Sequence, residues 1–210
     1  MGPNEGNSTA GGVRASMLSS TCCFEDEHKW SAVFSHVSDE CATAPETVWH
    51  MNGKAAVLAA LRSIGLDAAE EVPGKSSKGA KWEADVLFTA SGRVIAIELQ
   101  RSYQTMRDFL RRQERYTESG VECFWLLRQE GFLTLLKSTS RLVLKRDHGG
   151  VFPTQGIGTG ALPELPIALL SPEAPRPVQF GLGKDATVRE WLEAILIGEF
   201  RHREGAWSIR

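Results

Sequence analysis

The chain has little surplus charge, few cysteines, no long apolar run and no internal repeat, and each shortage removes a class of protein. Lys and Arg number 24 against 26 Asp and Glu, a formal net charge of -2 with a pI near 6.2, so any surface for a polyanion must be local. Four Cys in 210 residues, two of them adjacent, cannot frame a disulfide-stapled fold, so a reducing, cytoplasmic location is expected. No stretch approaches the roughly 18 apolar residues that span a bilayer, and the first residues are polar and Gly-rich, so neither a membrane span nor a signal peptide is expected. No repeat is visible, which argues against a solenoid. What remains, 42% hydrophobic and 24% charged, is globular, and the length suits one α/β core with a small appendage.

One stretch concentrates what is unusual. Lys81 to Gln100 reads KWEADVLFTASGRVIAIELQ, two apolar runs joined by Ala90-Ser91-Gly92, which predicts a hairpin of buried strands. Asp85 lies inside the first run, and Glu98 closes the second after Val94-Ile95-Ala96-Ile97. A buried carboxylate is costly unless it is paired or binds a cation, so two of them on paired strands suggest a shared metal. Strand alternation puts Glu98 and Gln100 on one face and Leu99 on the other. Asp85, Glu98 and the Leu99 carbonyl form a hard-oxygen set suited to Mg²⁺ or Mn²⁺.

Ahead of the hairpin, residues 1–20 are rich in Gly, Ser, Asn and Ala without periodicity, and disorder is expected there. Residues 21–42 hold Cys22, Cys23, His28, His36 and Cys41. That density permits a zinc site in which Cys22 or Cys23 joins His36 and Cys41. Adjacent cysteines rarely reach one ion together, however, and the spacing favours a small flap stabilised by Phe24, Trp30 and Phe34. Thr43-Ala-Pro-Glu46 is a capping box that predicts a helix to about Ile64, ended by Gly65. Val57, Leu58, Leu61 and Ile64 form its apolar stripe, while Glu46, His50 and Lys54 recur on another face as either a solvated ladder or a functional row. Leu66 to Val72, with Glu70 and Glu71, is a candidate strand. Pro73 to Ala80 is a polar loop whose Lys75 and Lys78, with Lys81, either are solvated or touch phosphates.

After Gln100 a helix is predicted from about Gln104 to Ser119, with Met106, Phe109, Leu110 and Tyr116 on its apolar stripe. Arg101, Arg107, Arg111, Arg112 and Arg115 outnumber Asp108 and Glu114, and such forks suit phosphate; an ordinary exposed basic face is the alternative. Arg112 lies three residues after Phe109 and four before Tyr116, so it shares the buried face and needs a carboxylate such as Glu98 or Glu46. Val121 to Leu127 is a third buried strand. Phe132 to Leu144 suggests one or two further strands, and His148 to Gly183 reads as an irregular connection. Thr187 opens a last helix with Trp191, Leu192, Ile195 and Leu196 inward, a face that serves as core or as a surface for a protein partner or a homodimer.

These residues together resemble a known family. An Asp on one strand and Glu-x-Lys on the next is the metal site of the PD-(D/E)XK nucleases, some branches of which carry Gln in place of the Lys. Phe34-Ser35-His36, Cys41, Glu46-Thr47, His50 and Lys54 before the hairpin, and Gln100, Ser102, Phe109, Arg112, Tyr116 and Trp125 after it, resemble in order and spacing the competence CoiA-like nuclease family. The resemblance covers about Cys22 to Leu127. It implies an α/β fold, a restriction-endonuclease-like mixed sheet flanked by helices with a small N-terminal Cys/His-containing flap. The nuclease core would span 43–147, followed by an irregular connection and C-terminal helix over 148–210.

The implied activity is a divalent-metal-dependent DNA nuclease hydrolysing phosphodiester bonds in single- or double-stranded DNA. Asp85, Glu98, Gln100, Lys54, His50 and Glu46 would be catalytic, and Glu71 a further metal ligand. Gln100 stands where the family's usual Lys supplies charge beside the attacking water; an amide can orient that water but cannot stabilise hydroxide by charge, so Lys54 or His50 is expected to supply the missing cation. A nuclease-fold module that binds DNA without cutting it and a zinc-stabilised protein-interaction module are the alternatives.

Overall fold

The computed structural model describes residues 1, 47–181 and 183–210. The segment expected to be disordered, the candidate zinc residues Cys22, Cys23, His36 and Cys41, and Glu46 lie outside the described residues. Helix α1 (Val48–Ser63) is capped by Thr47, whose hydroxyl accepts the His50 N–H at 3.4 Å; the expected cap, Thr43, also falls outside them. Gly65, at φ 75°, turns the chain out of the helix.

Strands β1 (Ala68–Lys75), β2 (Lys81–Ala90) and β3 (Arg93–Gln100) form an antiparallel meander. Only Ser91 and Gly92 connect β2 to β3, both at positive φ (49° and 76°), the two-residue turn whose twist matches paired strands. β1 runs on through Pro73 and Gly74, where a loop was expected. As an edge strand it tolerates the proline, and Gly74 lies under the Trp82 ring, where a Cβ would meet the indole at 2.0 Å.

Helix α2 (Met106–Glu118) crosses to β4 (Val121–Leu127), parallel to β3, and helix α3 (Gln129–His148) crosses to β5 (Ile167–Leu170), parallel to β4. Then come β6 (Val178–Phe180) and β7 (Lys184–Ala186), antiparallel additions, helix α4 (Val188–Leu196), and a separate hairpin of β8 (Arg201–Arg203) and β9 (Ala206–Ser208). The result is a mixed α/β fold: a seven-stranded sheet in sequential order, parallel at its centre and antiparallel at both sides, with four helices among the described residues. Val57, Leu58 and Leu61 of α1 and Trp191, Leu192 and Ile195 of α4 share one core with Ile95, Ile97 and Leu99. Phe109 and Tyr116 of α2 and Leu135 of α3 share the other with Trp125 and Ile167.

Two expectations need correction. Phe132 to Leu144 is helical, not extended: Leu135 and Thr139 are buried one turn apart, and Gly149 closes α3 in the left-handed region at φ 58°. The segment from His148 to Gly183 is not irregular throughout, because it contributes β5 and β6 to the central sheet. Of the two alternatives for the apolar face of α4, core is the one these residues take, with Trp191 and Leu192 at 0% exposure.

Candidate active site at a fork in the sheet

The antiparallel ladder between β2 and β3 ends at Val86 and Ile97. In the same register the next pair would be Asp85 and Glu98, but there the strands part. β2 continues to pair with β1 as far as Lys81↔Lys75, whereas β3 continues beside β4 as far as Gln100↔Leu127. Asp85 and Glu98 therefore stand at the crotch of a fork, one on each arm.

Two side chains tie the arms together. Asp85 Oδ2 accepts the Leu99 N–H at 2.6 Å, supplying an acceptor that the β2 main chain no longer offers. From the other face, the Tyr116 hydroxyl of α2 touches both the Glu83 carbonyl, at 3.0 Å, and Glu98 Oε1. A phenol carries one proton and the carbonyl can only accept. If Glu98 carries a proton, it donates to Tyr116 while Tyr116 donates to Glu83, and every polar group in the chain of bonds is satisfied. Burial pushes the Glu98 carboxyl up to about 7, against the opposing pull of Arg112 and of the Tyr116 hydroxyl, with the Asp85 charge adding to the rise. Burial and the neighbouring Glu98 also raise the Tyr116 phenol, so it stays a neutral donor. Trp82 holds Tyr116 in place, with ring centroids 4.8 Å apart and its own N–H donated to Ser119.

As alternation predicts, Glu98 and Gln100 share a face, and one guanidinium joins them. Arg112 donates through Nη2 to Glu98 Oε2 at 2.6 Å and through Nη1 to Gln100 Oε1 at 2.7 Å and Gln104 Oε1 at 3.2 Å. Its Cζ lies 4.7 Å above the Trp125 ring, whose N–H is fixed by Gln113 Oε1 at 2.7 Å. The Gln100 amide donates to the Ser102 carbonyl and hydroxyl, both at 3.0 Å, which ties the loop after β3 to the site.

On the α1 side, His50 Nε2 lies 3.2 Å from Asp85 Oδ1. One turn on, the buried Lys54 ammonium meets Glu71 Oε1 at 2.5 Å and Glu70 Oε2 at 3.9 Å. Glu71, expected as a third metal ligand, thus faces Lys54. Its φ of 50° is unusual for a residue with a side chain, and it falls between the β1–β2 pairs Glu70↔Val86 and Val72↔Ala84, level with Asp85. Gly53 lets α1 come this close, because a Cβ there would meet Leu99 Cδ2 at 2.4 Å and Leu170 Cδ2 at 2.9 Å. Helical periodicity does not single out Gly53, although an isolated glycine inside a helix is itself a signal of close packing. Tyr116 stands both on the apolar stripe and in the family pattern, but the reach of its hydroxyl to Glu98 and Glu83 is not legible from spacing.

The basic helix divides by face. Arg107 and Arg111 are exposed, Arg111 3.1 Å from Asp108, while Arg115 donates to the Lys81 carbonyl and Arg112 turns inward. Arg101, half-buried, directly follows Gln100. Lys78 of the β1–β2 connection pairs with Glu118 at 2.5 Å. Among the described residues no group of three or more His, Cys, Asp and Glu side chains gathers as a metal cluster, and no helix is long and apolar enough to cross a membrane.

Residues 46–145 match the family model of the competence protein CoiA nuclease-like domain, and this part of the chain is similar to that nuclease-like domain. No curated protein matches the chain. A crystal structure of a protein of unknown function is similar over 39% of this chain and 47% of its own, about half its length, at 14% identity and a TM-score of 0.31.

Proposed function

We propose that the chain is a divalent-metal-dependent deoxyribonuclease with a PD-(D/E)XK, restriction-endonuclease-like core, acting in the cytoplasm on DNA that is taken up, recombined or processed. One observation carries the reading. Asp85 and Glu98 are the first pair beyond the end of the β2–β3 ladder, on diverging arms, inside the segment that matches a nuclease-like domain.

The donor chemistry fits Mg²⁺ or Mn²⁺: two carboxylates and the Leu99 carbonyl are hard oxygens, and each Asp85 oxygen has a lone pair beyond the contact already made. Glu98 fits on the condition that Arg112 gives way, since the guanidinium cation lies 2.6 Å from Glu98 Oε2 and would repel a second cation there. When bound, such an ion polarises the phosphodiester, acidifies a bound water and offsets charge in the in-line transition state. The chain's own residues supply the rest. His50, held against Asp85, is placed to give or take a proton, and Lys54 brings to the α1 side the positive charge that Gln100 lacks. Gln100 acts as a clamp between Arg112 and Ser102. Arg107 and Arg111 offer exposed forks to the DNA backbone.

Circular single- and double-stranded DNA incubated with Mg²⁺, Mn²⁺ or EDTA tests the reading. Cleavage is expected with metal, none with EDTA, and none with Asp85→Asn; a circular substrate also separates endonuclease from exonuclease. If Lys54→Ala cuts as well as the parent chain while Asp85→Ala does not cut, Lys54 is not the substitute cation. The engagement of both Glu98 oxygens favours a second reading, a nuclease-fold module that binds DNA without cutting it. Metal binding with no cleavage of any DNA form would select that reading. For Cys22, Cys23, His36 and Cys41, metal analysis of the chain with and without Cys41→Ala decides between zinc and the unmetallated flap.

A further inference from the structure

Resting on that reading of the site, we propose that Arg112 is a cation placeholder: its guanidinium holds the Glu98 and Gln100 oxygens in the absence of a divalent ion and leaves them when the ion binds. Glu98 is only 2% exposed, and a carboxylate so deep is strongly destabilising when ionised without a partner. The partner it has is shared. One guanidinium takes an oxygen from each of the two side chains that β3 turns toward the site, at 2.6 and 2.7 Å. A second cation cannot use the same oxygens at metal–ligand distance, roughly 2.0–2.6 Å, while the fork remains there. A divalent ion and a guanidinium sharing these oxygens would sit close enough to repel strongly.

Arg112 is also built to move. Its side chain is 26% exposed against the 2% of Glu98, so its outer edge already reaches solvent. It rests on the flat face of Trp125, a surface along which a guanidinium slides without losing its stacking. Gln104 Oε1, 3.2 Å from Nη1, is a further acceptor belonging to neither Glu98 nor Gln100. Tyr116 is not in the way of this exchange, because its hydroxyl is held on the other Glu98 oxygen and on the Glu83 carbonyl. Once released, the fork is available to a phosphate oxygen, so the same side chain serves the empty site and then the substrate.

Arginine Nε–H NMR reads the exchange without any catalytic turnover. The Arg112 resonance is assigned by its loss in Arg112→Lys, or, should that chain not fold, by its displacement in the isosteric Glu98→Gln, and Mg²⁺ is then titrated into the full chain in the absence of DNA. The expected result is a shift of this resonance toward that of a solvent-exposed arginine as Mg²⁺ binds, with no such shift in Asp85→Asn. A resonance that holds its place while calorimetry records Mg²⁺ binding overturns the proposal, as does a chain that binds no Mg²⁺. DNA cleavage measured in parallel separates the two ideas. Cleavage with a stationary Arg112 removes the placeholder and leaves the nuclease, whereas release of Arg112 with no cleavage under any condition keeps the placeholder and removes the nuclease.

Discussion

Asp85 Oδ2 accepts the Leu99 N–H at 2.6 Å, directly after the last main-chain pair of β2 and β3, Val86 and Ile97. Asp85 is therefore both a candidate ligand and a repair of the sheet, and two substitutions tell these roles apart. Asp85→Ala should abolish cleavage and cost about 1–3 kcal/mol by stranding a buried N–H, whereas Asp85→Asn should abolish cleavage and keep most of the stability, because its amide oxygen still accepts. Urea titrations of the two variants beside the parent chain check this; equal destabilisation would mean that the Leu99 N–H finds another acceptor.

The arginines of α2 should separate into two kinds. Arg107→Ala should weaken DNA binding alike for all sequences and flatten its salt dependence by about one unit per lost phosphate contact. Arg112→Ala should lower single-turnover cleavage more than binding, since it removes the fork that serves the substrate phosphate once the ion holds Glu98. Equal losses in both assays for both variants would mean that the helix carries only undifferentiated charge.

Glu98 gives a pH dependence with a definite sign. Its folded value, about 7, lies above the ordinary 4.5, so between these values the native chain holds a proton that the unfolded chain has lost. The stabilisation it contributes is complete below about pH 4.5 and is lost as the pH rises through about 7, a difference of roughly 3 kcal/mol. Glu98→Gln cannot titrate there. Subtracting the unfolding free energies of variant and parent from pH 4 to pH 8 should show the parent falling behind as the pH rises. A flat difference would remove the raised carboxyl.

Gly53→Ala adds one methyl where Leu99 and Leu170 leave no room. Ordinary helix propensity predicts a gain of about 1 kcal/mol, but overpacking here should reverse the sign and cost about 1–3 kcal/mol. Because His50 and Lys54 flank this contact, cleavage should fall further than the lost stability explains. A variant more stable than the parent chain would show that α1 is not pressed onto β3.

The hairpin was legible because turn formers separate two apolar runs, and the inward face of Arg112 because helical spacing ties it to Phe109 and Tyr116. Its pairing with Glu98 then follows from the scarcity of buried carboxylates. α3 was misread because its apolar residues come in clumps that mimic alternation, and one of them, Leu133, is 47% exposed. β5 is four residues long and buried throughout, too short to carry a period. The partners of Lys54 were hidden for another reason: they depend on the backbone angle of Glu71, which residue identities do not encode.

That angle has a stereochemical consequence. Successive residues of a strand ordinarily face opposite sides of the sheet, yet Glu70 and Glu71 both bring carboxylate oxygens to the Lys54 ammonium, at 3.9 and 2.5 Å. A left-handed residue interrupts the pleat for one step, and two neighbours that would straddle the sheet become a pincer on one side of it. The handedness of a single edge-strand residue thus decides where a helix keeps its ammonium group, and it does so level with Asp85, where the sheet divides.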